Sequence, residues 1–197
     1  MKNTGVGGDL GNQLRSPERR LALRAGMCCA VAAAVSPTSA WAKALSKKTG
    51  REISLLNLHT GERLHAEYWH NGKYVPDAMH AVSVILRDHH NNKTHAIDPH
   101  LLDLAHVLRA RVANSSPLHI VSGYRSPETN ALMHEMSSEV AVHSLHVEGR
   151  AIDLRLPGTH LVALRRAALS LKLGGVGYYP SDNFIHIDTG KIRHWIG

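Results

Sequence analysis

Short runs of alternating apolar and polar residues recur along the chain, and such alternation is typical of strands that face a core on one side. In residues 151–156 the apolar face consists of Ile152, Leu154 and Leu156. Asp153 lies on the opposite face, although aspartate is among the poorer strand formers. The pattern therefore indicates either that this face is exposed to solvent or that Asp153 is kept there for chemistry.

Other strand-like runs are separated by turn sequences. Residues 59–62, which contain a glycine, lie between two such runs and predict a β-hairpin. Residues 118–124 predict a buried strand, and the turn 180–183 separates two further strands near the carboxyl end. Residues 77–90 fit either a short helix or a strand, and the pattern alone leaves both open.

Three segments predict helices, over residues 99–112, 127–136 and 160–173. Asp98 and Ser126 are good N-caps, and each precedes a proline at the first helical position. Gly174 and Gly175 are expected to end the third helix. Because helices and strands are interspersed and short turns join several strand pairs, we predict an α+β fold with an antiparallel sheet flanked by helices.

The first 42 residues predict an export signal rather than a part of the fold. An arginine-rich start precedes the small apolar run 25–35, and residues 40–42 form a small-x-small cleavage site. The run has about 11 residues, fewer than the roughly 20 that span a bilayer, so we predict no permanent membrane anchor. Arg19 and Arg20 resemble the twin-arginine signal of bacteria, and a general secretory signal is the alternative. The predicted organisation is a signal peptide at 1–42, a flexible lead-in at 43–51 and one domain at 52–197.

Removal of the predicted signal changes the charge and the cysteine content. Residues 1–42 contain five Lys or Arg and two Asp or Glu, so the formal net charge falls from +7 to +4. This mildly basic balance suits an anionic polymer such as cell wall, but no Lys/Arg run has interleaved aromatics, so we predict no nucleic-acid partner. Both cysteines, Cys28 and Cys29, are removed, so the domain forms no disulfide. All 16 histidines remain, which makes a metal site a hypothesis to test.

His146, Asp153 and His186 are the candidate metal ligands. A hydrolytic zinc site takes three ligands from His, Asp or Glu and leaves a fourth position for water. Spacing alone is a weak argument, because His70 and Asp77 repeat the interval between His146 and Asp153. Two imidazoles and a carboxylate also suit several divalent metals. The residues by themselves therefore leave two interpretations open, a metal site and polar side chains that are exposed or hydrogen-bonded.

The context of these residues adds to the metal hypothesis. His146 precedes a turn marked by Gly149, and the chain then enters the strand that carries Asp153. His186 and Asp188 share one face of a second alternating strand. Two strands thus present polar residues opposite an apolar face, which simple solvent exposure would not require twice.

Longer stretches of the sequence resemble a known family. The segments SGYRSPETN, SLHVEGRAIDLRLPG and GGVGYYPSDNFIHIDTGKIRHW are similar to those of the MepK-type murein endopeptidases. These are zinc peptidases related to the D-Ala-D-Ala peptidases and to the hedgehog amino-terminal domain. The segments NLHTGERLHAEYW and LRDHHNNKTHAIDPHLLDL resemble the same family, so the likeness spans almost the whole predicted domain. Its pattern Ser-x-His-x-x-Gly-x-Ala-x-Asp at 144–153 is specific.

The resemblance implies a fold, a cofactor and a substrate. It implies a hedgehog/D-Ala-D-Ala peptidase-like fold with zinc held by His146, Asp153 and His186. It also implies hydrolysis of the peptide crosslinks of peptidoglycan, which involve D-alanine and diaminopimelate. Zinc lowers the pKa of its bound water, so such an enzyme needs no serine or cysteine nucleophile. Together with the signal peptide, the resemblance predicts a periplasmic zinc metallopeptidase.

Two further residues are predicted to be catalytic. Arg125 lies between a strand and a helix start, and in the related enzymes an arginine here resembles a clamp for a substrate carboxylate or a developing oxyanion. Relatives often carry Glu or His two or three residues before the last ligand, where this chain has Phe184 and Asn183. Asp188 is therefore the first candidate for the general base or for a residue that orients the ligand, and Asp182 is the second.

Two other functions remain open from the sequence. One is a non-catalytic peptidoglycan-binding module with the same fold, and the other is a histidine-rich metal-binding protein with several weak sites. The remaining histidines, among them His89 and His90, are predicted to be exposed to solvent. The oligomeric state is left open.

Overall fold

The computed structural model describes residues 49–137 and 140–197 of the chain. The predicted signal peptide and residues 43–48 of the predicted lead-in lie outside the described residues. The first strand begins at Gly50, so the last two residues of that lead-in belong to the fold, and Arg51 is buried. Within the described ranges, no helix has the length and apolar character that a membrane crossing requires.

The described part of the chain forms eight strands and four helices. The strands are β1 Gly50–Asn57, β2 Arg63–His70, β3 Lys73–Tyr74, β4 Leu118–Ser122, β5 Ala151–Arg155, β6 Gly175–Tyr179, β7 Phe184–Asp188 and β8 Arg193–Ile196. The helices are α1 Pro76–Ile85, α2 Pro99–Arg111, α3 Pro127–Met136 and α4 Leu161–Leu171.

All eight strands belong to one sheet with the order β3-β2-β1-β4-β5-β7-β6-β8. The β1/β4 and β6/β8 pairs are parallel, and the other five pairs are antiparallel. The predicted α+β class with a mostly antiparallel sheet is therefore confirmed. The parallel β1/β4 pair needs a long connection, and α1 and α2 lie within it.

The helix caps agree with the sequence. Asp98 accepts a hydrogen bond from His100 N at the start of α2. Ser126 accepts one from Thr129 N at the start of α3. Both α2 and α3 begin with a proline, which has no N–H that would be left without a partner in the first turn.

Two other boundaries needed the structure. The ambiguous segment 77–90 is mainly helical, because α1 extends from Pro76 to Ile85. Helix α4 ends at Leu171, and Lys172 adopts the left-handed conformation that closes it. The expected stop at Gly174 and Gly175 is therefore wrong, and these glycines serve another purpose near the site.

Strand β8 is not predicted by the pattern. Its residues are mostly exposed at the edge of the sheet, so they show no apolar face to detect. The strand is held by pairing with β6, in which Gly175 is opposite Arg193 and Gly177 is opposite Trp195. An added Cβ at Gly177 would lie 2.7 Å from Trp195 Cε2, so the glycine makes room for the indole ring.

Helices α1, α2 and α4 pack against the sheet and enclose the hydrophobic core. The predicted apolar face of β5 is part of this core, as are Ile185 and Ile187 of β7. On the opposite face of these two strands, Asp153, His186 and Asp188 are also buried. This second face is therefore not exposed to solvent, so its polar residues must be satisfied by one another or by a ligand.

Candidate metal centre

Two neighbouring strands of the sheet place two of the predicted ligands side by side. In the antiparallel β5/β7 pair, Asp153 lies directly opposite His186. Residues opposite each other in such a pair have Cβ atoms about 4.5–5.5 Å apart, so their side chains meet over the same face. The exposed fractions of Asp153 and His186 are only 6% and 8%. The register of the sheet therefore brings a carboxylate and an imidazole together away from bulk water.

His146 reaches the same point from the segment before β5. This segment is a tight turn in which Val147 N donates to Ser144 O at 3.0 Å and Gly149 N donates to His146 O at 3.3 Å. Gly149 has a φ of +65°, and an added Cβ would collide with the backbone oxygen of Ala96. The serine-to-glycine part of the 144–153 pattern is thus a turn that directs His146 towards β5.

The inward-facing atoms of the three side chains form a small triangle. His146 Nε2 lies 3.1 Å from His186 Nδ1 and 3.3 Å from Asp153 Oδ1, and the third edge, between His186 Nδ1 and Asp153 Oδ1, is 2.9 Å. Ligand atoms about 2.0–2.1 Å from a tetrahedral zinc are roughly 3.3 Å apart, so the triangle is close to the size that zinc requires. Among the residues that the structure describes, only these form such a group of three His, Cys, Asp or Glu.

Each imidazole is oriented by a second acceptor on its outer side. His146 Nδ1 donates to the backbone oxygen of Gly123 at 2.7 Å, and His186 Nε2 donates to Asp188 Oδ2 at 3.1 Å. Because carbonyl and carboxylate oxygens only accept, these contacts assign the ring proton to the outer nitrogen. The inner nitrogens then present lone pairs towards Asp153 Oδ1. Three hydrogen-bond acceptors thus converge with no N–H or O–H group among them. Such a set of lone pairs is suited to bind a divalent cation.

The pKa values of the three residues reflect this convergence. Burial disfavours the charged form of Asp153, but His146 and His186 outweigh it and hold its pKa well below the ordinary value. Burial lowers the pKa of His146. Burial also acts against a charged His186, but its hydrogen bonds to Asp153 and Asp188 raise its pKa to about 8. A proton on His186 is one way to satisfy the converging acceptors, and a divalent cation serves all three at once.

Asp188 lies behind His186, on the side away from the triangle. It is fully buried, and its oxygens accept hydrogen bonds from Gly175 N, Gly190 N, Arg193 and His186 Nε2. Although burial opposes the charge, these donors keep the pKa of Asp188 far below its ordinary range. Asp188 does not line the cavity above the triangle. Its lone pairs are directed at fixed protein groups and not at a substrate.

Arg125 adds a buried positive charge beside the triangle. It lies between β4 and α3, and its side chain is 11% exposed. Its Nη2 atom is 3.7 Å from Asp153 Oδ2 and donates to Ser122 Oγ at 3.3 Å, while Nη1 donates to Asn130 Oδ1 at 3.4 Å. A guanidinium has five N–H groups, more than these contacts use, so it can also meet an anionic group in the cavity.

An open cavity of about 570 Å³ lies over the triangle. The three candidate ligands and Arg125 contribute to its wall. So does Asp182, which lies between β6 and β7 and is exposed. Besides Asp153, Asp182 is the one carboxylate among the described residues that line the cavity. A cavity of this volume fits a small ligand or a short peptide segment.

Part of the cavity wall is formed by His59, His89 and His90, which no sequence pattern marked as site residues. The rings of His59 and His89 stack at 3.8 Å, and His89 lies 4.0 Å from His90. The expectation of an exposed His89 is wrong, because the stack leaves it half-buried, and burial together with the neighbouring histidines lowers its pKa. Two loops bring these rings together, and no local sequence pattern indicates that contact.

Another part of the wall is aromatic and was also missed. Trp195 Nε1 donates to the hydroxyl of Tyr179 at 2.8 Å, and Phe184 stacks on Tyr179 at 4.6 Å. The Trp195 ring lies 5.1 Å from the ring of His186. Because Trp195 belongs to the strand that the pattern does not predict, its place beside a ligand was not accessible from the sequence.

Together, the fold and the site define an α+β protein with a candidate three-ligand metal centre of the hydrolytic kind, open to a cavity. A family model described as peptidoglycan L,D-endopeptidase MepK matches residues 45–195. The chain therefore belongs to this peptidase family, and the resemblance to the MepK-type enzymes is confirmed.

Relatives in two bacteria agree with this membership. The chain is 42% identical over 166 residues to the peptidoglycan L,D-endopeptidase MepK of Escherichia coli (strain K12), an alignment that covers 84% of the chain and 91% of the relative. It is 36% identical over 169 residues to the probable peptidoglycan L,D-endopeptidase MepK of Haemophilus influenzae, with coverages of 85% and 90%. No solved structure matches the chain.

Proposed function

We propose that this protein is a zinc-dependent murein endopeptidase that hydrolyses the peptide crosslinks of peptidoglycan. One observation carries the proposal, namely the triangle of His146 Nε2, Asp153 Oδ1 and His186 Nδ1 with its edges of 3.1, 3.3 and 2.9 Å in an open cavity. The peptidase family and the relatives named as peptidoglycan L,D-endopeptidases support the substrate class.

His146, Asp153 and His186 would hold the zinc ion, and two imidazole nitrogens with one carboxylate oxygen are ligands that zinc accepts. When bound, zinc supplies a Lewis acid for the scissile carbonyl and a water of lowered pKa. The chain prepares the site in advance, because the outer contacts to Gly123 O and Asp188 aim both inner nitrogens at one point, and zinc would replace the proton that His186 carries below about pH 8.

Arg125 is proposed to bind negative charge on the substrate. A buried guanidinium 3.7 Å from Asp153 Oδ2, beside the proposed zinc ligands, can stabilise the charge that a carbonyl oxygen gains during hydrolysis. Its low exposure strengthens the interaction, since water screens it little. The same group can hold a substrate carboxylate next to the scissile bond, and both roles position the peptide for attack.

We infer that Asp188 orients His186 and that Asp182 moves the proton. Asp188 is enclosed by donors and does not line the cavity, which suits a fixed anion more than a base that exchanges protons. Asp182 is exposed and shares the cavity with the ligands. As general base it takes a proton from the attacking water and returns it to the leaving amine.

Export to the periplasm is part of the proposal. Residues 1–42 carry the features of a signal peptide, with twin arginines at 19–20 and a cleavage site that ends at Ala42. Sequencing of the amino terminus of the protein recovered from a periplasmic fraction tests this point. A start at Lys43 supports it, and an intact Met1 in the cytosolic fraction contradicts it.

Two measurements on the purified mature protein test the function. The first is its zinc content, and the second is the release of monomers from crosslinked dimeric muropeptides. We expect one zinc per chain and hydrolysis in the wild type, and loss of both in Asp153→Ala and His186→Ala. His160→Ala, an exposed histidine outside the cavity, serves as the matched control and should leave both unchanged.

The same experiment separates the alternatives. One tightly bound zinc without hydrolysis identifies a peptidoglycan-binding module. Several loosely held metal ions that survive Asp153→Ala identify a histidine-rich metal-binding protein. Asp182→Asn tests the base: it should keep the zinc and lower kcat about 10²-fold or more, and an unchanged kcat excludes Asp182 from proton transfer.

A further inference from the structure

Arg193 forms a two-point contact with the carboxylate behind His186. Its Nη2 lies 2.8 Å from Asp188 Oδ2, and its Nη1 donates to Asp188 Oδ1 at 3.1 Å. The guanidinium also lies 5.0 Å from the Trp195 ring and lines the cavity. Its side chain is 44% exposed, whereas Asp188 is fully buried. A surface cation thus reaches inward to a buried anion that touches a candidate ligand.

The two oxygens of Asp188 are held very differently. Oδ1 accepts from Gly175 N at 3.0 Å and from Gly190 N at 2.8 Å, so two backbone amides hold it in addition to Arg193 Nη1. Oδ2 is the oxygen that contacts His186 Nε2, and among the described residues Arg193 is its other side-chain donor. The oxygen that determines the tilt of the His186 ring therefore depends on Arg193.

The surrounding chain leaves space for this pair and for nothing larger. An added Cβ at Gly175 would collide with Asp188 Oδ2 and approach Arg193 Nη1 to 2.5 Å. At Gly190 an added Cβ would lie 3.0 Å from Asp188 Oδ1. The glycines of β6 and of the β7/β8 connection thus leave room for the guanidinium beside Asp188, and pairing of β6 with β8 places Arg193 opposite Gly175.

We propose that Arg193 is a positioning residue for the metal centre: it fixes Asp188 Oδ2, which in turn holds His186 with Nδ1 aimed at His146 Nε2 and Asp153 Oδ1. The proposal rests on the proposed zinc site. Lysine cannot replace this arrangement fully, because an ammonium is a point charge and lacks the planar fork that engages both carboxylate oxygens.

The test measures metal binding apart from activity. Zinc affinity is determined by competition with a chelator, and the Co²⁺-substituted protein is examined by visible absorption, which reports ligand geometry. We expect Arg193→Gln to weaken zinc binding by about 10-fold, the lower end of the effect of residues that orient metal ligands, and to change the cobalt spectrum. Arg193→Lys should recover part of the affinity.

Arg165→Gln is the matched control. Arg165 lies 4.9 Å from the Tyr178 ring, so it shares the arginine–aromatic contact on the neighbouring strand, but it does not line the cavity. The zinc affinity and the cobalt spectrum of Arg165→Gln should match those of the wild type. A cycle with Asp188→Asn adds a second check: if Arg193 acts through Asp188, the double variant Arg193→Gln/Asp188→Asn is no weaker in zinc binding than Asp188→Asn alone.

Steady-state kinetics complete the test. A positioning role predicts a lower kcat with little change in KM for Arg193→Gln. Wild-type zinc affinity and a wild-type cobalt spectrum in this variant would overturn the proposal. A raised KM with unchanged metal binding would also overturn it, because Arg193 would then be a substrate contact.

If Arg193→Gln does not fold, Arg193→Lys decides: a wild-type cobalt spectrum of that variant overturns the proposal. If the wild type binds zinc but cleaves no muropeptide, the proposed function fails while the metal measurements still decide the role of Arg193.

Discussion

Asp103 and Asp153 are both almost completely buried, at 1% and 6% exposure, and their surroundings differ in kind. Around Asp103, donors meet the carboxylate: Arg51 Nη1 lies 2.9 Å from Oδ1, and the hydroxyls of Tyr68 and Tyr74 donate at 2.9 and 2.8 Å. Burial and the nearby carboxylate raise the pKa of both tyrosines above the ordinary value, so they remain donors. This network ties α2 to β1, β2 and β3.

Around Asp153 Oδ1 the two neighbouring imidazoles are acceptors, and Arg125 lies 3.7 Å from the other oxygen, beyond hydrogen-bond distance. The outer nitrogens of His146 and His186 already donate to Gly123 O and Asp188, so their inner nitrogens add lone pairs to those of the carboxylate. The comparison teaches that burial of a charge does not by itself mark a functional site. A buried cluster with donors for its acceptors holds the fold together, whereas a cluster with an excess of acceptors calls for a cation.

The largest effect is expected from Asp153→Asn. The amide can donate to His186 Nδ1, so the metal-free protein should fold, but the one anionic ligand of the three is lost. We expect loss of zinc and a decrease in kcat/KM of about 10³-fold or more, because the metal contributes several kcal/mol to the transition state. Zinc analysis and muropeptide hydrolysis measure both. Retention of zinc with full activity would contradict the ligand role.

Asp103→Ala should act on stability instead of chemistry. It leaves Arg51 as a buried charge without its carboxylate partner, and breaking such a pair costs about 3–5 kcal/mol of unfolding free energy. Urea denaturation measures the loss. The folded fraction of the variant should still bind one zinc. If Asp103→Ala folds normally but binds no zinc, the assignment of a structural role to Asp103 and a metal-binding role to Asp153 is contradicted.

The arginines beside the two aspartates are expected to differ in the same way, Arg51 next to Asp103 and Arg125 next to Asp153. Arg125→Gln should lower kcat/KM by about 10²-fold, as loss of an oxyanion-stabilising group does, with little change in unfolding free energy. Arg51→Gln should show the reverse, with lower stability and kcat/KM near the wild-type value. Parallel kinetics and urea denaturation of the two variants test this, and a purely structural loss in Arg125→Gln would exclude it from catalysis.

The pH dependence of stability is the smallest expected effect. The pKa of His186 in the folded, metal-free protein is about 8, above the ordinary 6.5. This proton therefore stabilises the metal-free protein fully below about pH 6.5, and about 2 kcal/mol is lost as the pH rises through 8. Zinc bound at the proposed site would take the place of this proton, so the zinc-loaded protein should lack this dependence. Unfolding free energies at pH 6 and pH 9, with and without zinc, measure the difference.

Local signals were sufficient for much of the fold. The alternation in 151–156 predicts β5 and its core face, and Asp98 and Ser126 predict the starts of α2 and α3, because a strand period and a helix cap depend on neighbouring residues. The three candidate ligands were likewise selected from the sequence, by residue type, local context and family resemblance. Strand β8 could not be predicted, since an exposed edge strand carries no apolar period.

The different surroundings of the two aspartates were also beyond the sequence. Asp188 and Asp182 both lie near His186 along the chain, and the strand face shared with His186 favoured Asp188 as the base or as a residue that orients the ligand. In the fold, Asp188 is turned towards the Gly175 and Gly190 amides, away from the cavity, and Asp182 faces the cavity. Arg193, which completes the surroundings of Asp188, had no local pattern that could distinguish it from a surface arginine.

Local stretches of sequence are enough to establish which residues alternate on each strand, where the capped helices begin and which side chains have the chemistry of metal ligands, because these properties are set within a few residues. The folded structure was needed to show that Asp153 faces His186 across β5 and β7, that the polar face is buried, and that Arg193 reaches Asp188. These three features depend on strand register and on contacts between distant segments. Both are stabilised by the packing of the whole chain and not by residues that are neighbours in sequence.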